Sequence, residues 1–167
     1  MNWQKAEQAG AKFAFIRAGS INNQTGIPYD DYAFATNLME CHLPRGFYWY
    51  FRPNQPLALQ ANYFADLIEG ERMELGAVCD IETSGGMLPG HVQNAVKSFL
   101  DVLEGRIGRK PIIYTRASFW NYAVGNPSWA SDYPLWCARY MTLSDVPPIA
   151  GPWADDKFKP LSWDEWE

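Results

Sequence analysis

Cysteine is scarce in this sequence and forms none of the patterns in which it usually acts. The 167 residues include three, Cys41, Cys79 and Cys137, which lie far apart without Cys-x-x-Cys or Cys/His ligand spacing. Neither a disulfide framework nor a zinc site is indicated, and we expect three buried thiols. No predicted strand is followed by a glycine-rich phosphate loop, which argues against nucleotide binding. The residues imply no metal and no organic cofactor.

Positive charge and long apolar runs are scarce as well. Lys and Arg number 14 against 19 Asp and Glu, a net charge of -5 with no basic cluster. This excludes nucleic acid and an anionic membrane surface as the main partner and favours a neutral or polyhydroxylated ligand. No apolar run reaches the roughly 18 residues that span a bilayer. Residues 1–5 lack the apolar stretch of a secretory signal, so we expect no signal peptide in this chain.

Apolar and aromatic residues are abundant. Hydrophobic residues make up 47% and charged residues 20% of the chain, enough to bury one sizeable core, so disorder is excluded. The length fits a single domain over residues 1–167. Aromatic residues make up 16%, and rings with apolar faces and polar tips suit sugar binding and core packing equally well.

Short apolar runs alternate with stretches of helical periodicity along the chain. The runs predict strands covered on both faces over residues 12–18, 46–51, 74–81, 111–115 and 134–140. Apolar spacing and turn residues predict helices over 31–41 with Asp31 as N-cap, 57–69, 92–103 closing at Gly105, and 117–124. The alternation indicates parallel βα units, arranged either as an open doubly wound sheet or as a (β/α) barrel.

The most informative stretch is the end of the predicted strand over 74–81. Asp80 and Glu82 follow one another at i and i+2, which places both carboxyl groups on one face with Cα atoms roughly 6.6 Å apart. Barrel enzymes carry their catalytic groups at the carboxyl ends of parallel strands. Like charges held close together raise one pKa, so that one acid holds a proton while its partner stays ionised. Glycoside cleavage uses such a pair.

A purely structural role is an equal alternative for these two acids. Asp80 and Glu82 could cap the following helix or form ion pairs with Arg17 or Arg52. The Cα spacing also leaves open whether the carboxyl groups lie at the separation of a retaining or of an inverting glycosidase.

Alternation along the strands brings further polar groups to one face. Tyr48 and Tyr50 share a face of their strand, and Arg17 lies at the end of the neighbouring run. If that face points to the mouth of a barrel, the three side chains line the crevice that holds the acids. Packing into the core is the alternative. The same two interpretations apply to aromatic residues at the ends of later strands, Tyr114, Trp136 and Tyr140.

Seven short sequence runs are spread over nearly the whole chain. Together they indicate a protein family more specifically than any one of them does alone. They are Phe13-Ala14-Phe15-Ile16-Arg17-Ala18-Gly19, Asp31-x-x-Phe34-x-x-Asn37, 43–53, Gln60-Ala61-x-x-Phe64, Asp80-Ile81-Glu82, 110–115 and Leu135-Trp136-x-Ala138-x-Tyr140. In this order the runs resemble the glycoside hydrolase family 25 lysozymes. The resemblance implies an irregular TIM-like (β/α) barrel with parallel strands. It also implies N-acetylmuramidase activity on the β-1,4 bond between N-acetylmuramic acid and N-acetylglucosamine of cell-wall peptidoglycan.

The resemblance implies roles for particular residues. By position, Glu82 looks like the general acid. Asp80 looks like its partner carboxylate, which orients the substrate's N-acetyl group or stabilises the oxocarbenium ion. Six residues resemble the lining of the sugar groove, namely Arg17, Tyr48, Tyr50, Tyr114, Trp136 and Tyr140. Trp49 stands where the family usually has His, on the opposite face of its strand.

The two ends of the chain depart from the family pattern. The sequence starts after the position of the family's first strand and stops before its last, and each of these strands carries an acidic site residue. We therefore expect an incomplete barrel that lacks its first strand and its last one or two. Either the chain is a fragment of a longer product, or a second subunit of a homo-oligomer covers the open strand edges. Without a signal peptide, a wall-lysing enzyme suits a phage endolysin or a truncated secreted protein.

Three functions are consistent with these observations. The first is the muramidase with Glu82 and Asp80 in its site. The second is a catalytically impaired peptidoglycan-binding module that keeps the aromatic groove. The third, suggested by the Asp-x-Glu spacing alone, is a chitinase-like enzyme that uses a substrate N-acetyl group as internal nucleophile.

Overall fold

A computed structural model describes residues 1–138 and 162–163, and its framework is a curved, mostly parallel sheet. The strands of the described residues are β1 (Ala14–Ile21), β2 (Pro28–Asp30), β3 (Arg45–Tyr50), β4 (Gly76–Asp80), β5 (Ile112–Thr115) and β6 (Leu135–Cys137). The helices are α1 (Trp3–Gln8), α2 (Phe34–Glu40), α3 (Leu57–Ile68), α4 (Pro89–Ile107) and α5 (Ala117–Phe119), with a π-helix (Trp120–Val124) and a 3-10 helix (Ser128–Asp132). The strand order is β2-β1-β3-β4-β5-β6, with only β2 antiparallel to its neighbour. The predicted α/β fold with parallel strands is confirmed, and the sheet of the described residues does not close into a barrel.

The face of the sheet that packs against the helices carries the core. Phe47, Trp49 and Phe51 occupy alternate positions around β3 and are fully buried. Trp49 stacks on Phe64 of α3 with 5.8 Å between ring centroids, and Phe51 lies 4.6 Å from Phe99 of α4. Since successive side chains of a strand point to opposite faces, the tyrosines between these residues face the concave side, which is one of the two alternatives that the sequence left open.

The concave face is strongly curved. In sheet order, β1 and β6 are four strand spacings apart, so a flat sheet would hold them about 19 Å apart at the usual spacing of about 4.8 Å. The rings of Phe15 on β1 and Trp136 on β6 nevertheless have centroids only 4.6 Å apart. The sheet therefore bends around a lumen into which the concave side chains of all the parallel strands converge.

Gly46 makes room for Phe15 at the amino end of this lumen. The two residues are register partners on β3 and β1. A Cβ atom at Gly46 would lie 2.4 Å from the Phe15 ring, closer than real Cβ atoms approach other heavy atoms. Glycine thus lets the ring lie flat over β3, where it reaches Trp136.

Two elements differ from the sequence-based expectation: the strand β2 is not predicted, and helix α2 begins at a different residue. The sequence does not predict β2, because Pro28–Asp30 is short and starts with a proline, which has no backbone donor for a strand. The prediction of Asp31 as the N-cap of α2 is wrong. The helix starts at Phe34 after Ala33, and the Asp31 carboxylate instead accepts a 3.0 Å hydrogen bond from the Ala33 N–H in a turn.

The end of α4 also differs from the prediction. The helix passes Gly105 and runs to Ile107, because Gly108, with φ of 69°, adopts the left-handed conformation that ends a helix. Gly105 lies at an exposed position, where a glycine inside a helix lowers its stability without breaking it. The last predicted strand, over 134–140, is described only as far as residue 138.

The remaining sequence-level expectations concern thiols, membranes and metals. Cys41 and Cys79 are buried free thiols, whereas Cys137 is only half-buried. None of the helices in residues 1–138 is long and apolar enough to cross a membrane. In the described residues no three His, Cys, Asp or Glu side chains come close enough together to hold a metal ion.

Arg45 joins three segments at the amino end of β3. Its buried guanidinium donates to the carbonyls of Leu38 at 2.7 Å and Cys41 at 3.1 Å, at the end of α2. It also donates to the Arg72 carbonyl at 3.2 Å and forms a 3.0 Å ion pair with Glu71. This one side chain therefore satisfies carbonyl groups from both connections beside the strand.

We expect Arg45→Met to lower the free energy of unfolding by about 2–4 kcal/mol, because three carbonyl groups and a carboxylate lose their donor. Urea denaturation at neutral pH measures the change. The matched control is Arg106→Met, which removes an exposed ion pair with Asp66 and should be far less destabilising. Equal losses in the two variants would contradict the role assigned to Arg45.

Candidate active site

A cavity of about 290 Å³ opens on the concave side of the sheet. Its walls come from all five parallel strands and from Glu82, the second residue after β4. The lining side chains are Phe15, Tyr48, Val78, Asp80, Glu82, Tyr114 and Trp136. The cavity thus combines two carboxyl groups with four aromatic rings.

Hydrogen bonds from both neighbouring strands hold the chain that carries the acids. The Asp80 carbonyl accepts a 2.9 Å bond from the Phe51 N–H on the β3 side. On the β5 side, the Ile81 N–H donates to the Tyr114 carbonyl at 3.0 Å. The Ile81 carbonyl accepts from the buried Thr115 hydroxyl at 2.9 Å. The backbone between the two carboxyl groups is therefore fixed on both sides.

Aromatic rings form one wall of the cavity. Trp136 lies between Phe15, at 4.6 Å between ring centroids, and Tyr114, at 4.8 Å and an interplanar angle of 70°. Trp136 is also 40% exposed, so part of its ring remains accessible to a ligand. Flat rings with apolar faces suit the apolar faces of pyranose rings.

Amide side chains join three loops at the rim beside Glu82. The Asn54 side chain, after β3, donates to the Asn23 side chain, after β1, at 3.1 Å, and Gln55 donates to the Asn23 carbonyl at 3.0 Å. Gly85, after β4, has φ of 58°, and a Cβ atom there would lie 2.5 Å from the Asn54 side chain. Glycine therefore allows the β4 loop to approach the other two. The sequence analysis missed this rim, because contacts between loops leave no periodic signal.

Comparison with known proteins shows which family this chain belongs to. The family model for glycosyl hydrolases family 25 matches residues 1–158. The chain belongs to this family.

Individual relatives support the assignment to family 25. The chain is 33% identical over 132 residues to the protein YegX of Escherichia coli, covering 77% of this chain and 46% of that protein. It is 32% identical over 168 residues to lysozyme M1 of Streptomyces globisporus, covering 91% of this chain and 55% of that enzyme. It therefore spans about half the length of these curated relatives. The crystal structure of a lysozyme from Streptomyces coelicolor superposes with a TM-score of 0.76 at 25% identity, covering 99% of this chain and 75% of that one.

Most of the site residues predicted for this family 25 chain lie together. Five of them, Asp80, Glu82, Tyr48, Tyr114 and Trp136, line the cavity. Arg17 and Tyr50 lie beside it without forming its lining, and Tyr140 lies outside the described residues. Phe15 and Val78 line the cavity although the sequence analysis did not single them out. Phe15 is two residues before Arg17 on the same strand, so the alternation rule itself could have indicated it.

The described residues do not support the purely structural alternatives for the acids. Helix α4 starts at Pro89 after Leu88, without a side-chain cap. Among the described residues no ion pair joins Asp80 or Glu82 to an arginine, and the buried Oδ1 of Asp80 has no hydrogen-bond partner. Among the described residues the two acids therefore neither cap α4 nor form an ion pair with an arginine.

The environment of Asp80 favours its protonated form. Burial and, to a smaller extent, the negative charge of Glu82 raise the pKa of Asp80 from 3.8 to about 7, against the opposing effect of Arg17. Burial also raises the pKa of Tyr48, so its hydroxyl stays a hydrogen-bond donor at neutral pH. The cavity can therefore hold or release a proton at Asp80 close to neutrality.

The raised pKa of Asp80 has a consequence for stability. An acid with a higher pKa in the folded than in the unfolded state stabilises the fold at low pH, and this contribution is lost as the pH rises from about 4 to about 7. We expect Asp80→Asn to gain stability relative to the parent over this window, by on the order of 3 kcal/mol. Urea denaturation at about pH 4.5, near the lower end of the window, and at about pH 8, above it, measures the gain. Asp30→Asn, at an exposed position, is the control, and a pH-independent difference for Asp80→Asn would contradict the prediction.

Proposed function

We propose that this chain is a lysozyme-type muramidase that hydrolyses the β-1,4 bond between N-acetylmuramic acid and N-acetylglucosamine in peptidoglycan. The observation that carries the proposal is the placement of Asp80 and Glu82 in one aromatic-lined cavity at the carboxyl end of β4. Membership of family 25 supports it, as do the names of two relatives, lysozyme M1 and the Streptomyces coelicolor lysozyme.

In the proposed reaction, Glu82 is the general acid. It donates a proton to the glycosidic oxygen while the bond from that oxygen to C1 of the muramic acid breaks. The positive charge that develops on C1 and the ring oxygen is stabilised by ionised Asp80, either directly or through the substrate's N-acetyl group. Water then adds to C1 and gives a proton to the carboxylate of Glu82, which restores the acid, so each bond cut leaves one new reducing end.

The aromatic residues are proposed to bind the sugars. Tyr48, Tyr114 and Trp136 line the cavity, where their rings exclude water and their polar tips donate to sugar oxygens. Tyr140 remains a predicted lining residue. The single domain over 1–167 and a homo-oligomer that covers the open sheet edges also remain predictions.

We expect Glu82→Gln to lower the release of reducing ends from purified peptidoglycan by at least about 100-fold, because the amide has no proton to donate to the leaving oxygen. Glu40→Gln, at an exposed position at the end of α2, is the matched control and should retain full activity. Pulldown by insoluble peptidoglycan, scored in parallel, should be unchanged in both variants.

Other outcomes of this assay would change the assignment. Peptidoglycan pulldown without any release by the parent would identify a binding module. Cleavage of chitin with no cleavage of peptidoglycan would favour the chitinase-like alternative. Full activity of Glu82→Gln would remove Glu82 from the mechanism.

The pH dependence of kcat/KM tests the partner role of Asp80. If Asp80 must be ionised, kcat/KM rises with pH and levels off above an apparent pKa of about 7. Asp80→Asn should lower the plateau and abolish this rise, because residue 80 then no longer titrates. The assay uses soluble, peptide-free glycan at constant ionic strength. A parent kcat/KM that falls through the same range would instead make Asp80 the proton donor.

A further inference from the structure

Two arginines share one tyrosine ring immediately beside the cavity. The guanidinium carbons of Arg17 and Arg52 lie 5.8 Å and 5.1 Å from the centroid of the Tyr50 ring. Tyr50 is the register partner of Asp80 on the adjacent strand, about 4.8 Å away at the usual strand spacing. Arg17 is near enough to Asp80 for its charge to lower the pKa of that carboxyl, and Arg52 lies against the same tyrosine ring. The proposed reaction uses neither arginine.

Both guanidinium groups have unused hydrogen-bonding capacity. The Nε atoms of Arg17 and Arg52 are buried and have no hydrogen-bond partner among the described residues. Arg17 approaches Asp31 only to 3.7 Å, which is too long for a hydrogen bond. Within residues 1–138 and 162–163 no ion pair is formed by Arg52.

Three other arginines each have a carboxylate partner. Arg45, Arg72 and Arg106 have a carboxylate oxygen at 3.0, 2.8 and 2.6 Å, respectively. Contact with an aromatic face engages the plane of a guanidinium and leaves its N–H edge free to donate. Both side chains of the pair at Tyr50 are partly exposed, and their Nη groups form no hydrogen bond among the described residues, so the Nη groups remain available to a ligand.

The position of Arg52 is fixed from inside the core. Gln60 of α3 is fully buried and accepts a 3.1 Å hydrogen bond from the Arg52 N–H. The Gln60 amide group also donates to the Arg52 carbonyl at 2.9 Å. The same oxygen of Gln60 accepts from the Trp49 indole at 3.2 Å. These hydrogen bonds from a buried side chain fix the backbone of Arg52 and therefore the position of its Cα atom.

We propose that Arg17 and Arg52 form an anion subsite that binds a carboxylate on the muramic acid side of the glycan, with Tyr50 holding the two guanidinium planes. This inference rests on the proposed function for its substrate. Guanidinium groups bind carboxylates through short, charge-assisted hydrogen bonds. Because the subsite adjoins Asp80, the carboxylate belongs to the sugar in the cavity or to its substituent. Two cations also offset the repulsion that Asp31, Asp80 and Glu82 exert on an incoming anion.

Two sources in peptidoglycan supply such a carboxylate. The lactyl ether of muramic acid has a free carboxylate when no peptide is attached, and an attached peptide contributes its own carboxylates. Chitin has neither. The subsite would therefore distinguish a muramic acid glycan from a polymer of N-acetylglucosamine by charge.

The test measures binding in the Glu82→Gln background, so that turnover does not interfere. Three probes are titrated by calorimetry: peptide-free glycan strands, the same strands with the lactyl carboxylates converted to methylamides, and soluble muropeptide chains with the peptide attached. We expect Arg52→Gln to weaken binding of the carboxylated strands by about tenfold or more. Binding of the methylamide strands should stay the same. Arg17→Gln should act in the same direction, and Arg52→Lys should lose less than Arg52→Gln.

Each result supports or overturns the subsite. A loss confined to peptide-free strands assigns the lactyl carboxylate, and a loss confined to muropeptide chains assigns the peptide. An equal loss on methylamide strands, or no loss on any probe, overturns the proposal. Arg106→Gln, in an exposed ion pair away from the cavity, is the control, and circular dichroism checks that each variant folds. If the parent binds carboxylated strands through Arg52 but releases no reducing ends, the hydrolase proposal fails and the subsite stands.

Discussion

The curvature of the parallel sheet is the constraint on which the rest of the structure depends. Parallel strands all present their carboxyl ends at one edge, and bending the sheet turns that edge into the mouth of a lumen. Phe15 and Trp136 are in contact although their strands, β1 and β6, lie far apart in sheet order, which shows how strongly the sheet bends. Asp80, on the central strand of the parallel set, consequently faces aromatic groups from both sides.

Burial of Asp80 lowers the stability of the fold and gives a carboxyl group that titrates near neutral pH. An unpaired oxygen in a cavity destabilises the fold, and the surrounding hydrogen bonds of Ile81 and the apolar packing behind β3 offset this loss. Trp49 lies on the side of β3 that faces the helices. It donates to Gln60, whose other bonds hold Arg52. The core and the cavity edge thus share one polar side chain.

The sequence indicated those parts of the fold and the site that follow from periodicity. Alternation on β3 correctly separated Phe47, Trp49 and Phe51 from the tyrosines. The two acids that the sequence indicated at the end of an apolar strand line the cavity. Other features depend on contacts between segments distant in the chain. The short edge strand β2, the amide rim and the left-handed end of α4 at Gly108 have no periodic signature. The same holds for the shared position of Arg17 and Arg52 at Tyr50.

Gly46 illustrates how a residue outside the cavity can set its dimensions. The Phe15 ring lies over this glycine and lines the cavity. The depth of the cavity therefore depends on the absence of a side chain at position 46. A Cβ atom at position 46 would lie 2.4 Å from the Phe15 ring and 2.6 Å from the backbone carbonyl of Gly76 on β4. Any larger residue would therefore displace the ring and push β3 away from β4, and so change the cavity although position 46 does not line it. Selection for smaller or larger sugar substituents could therefore act on a position that no ligand touches.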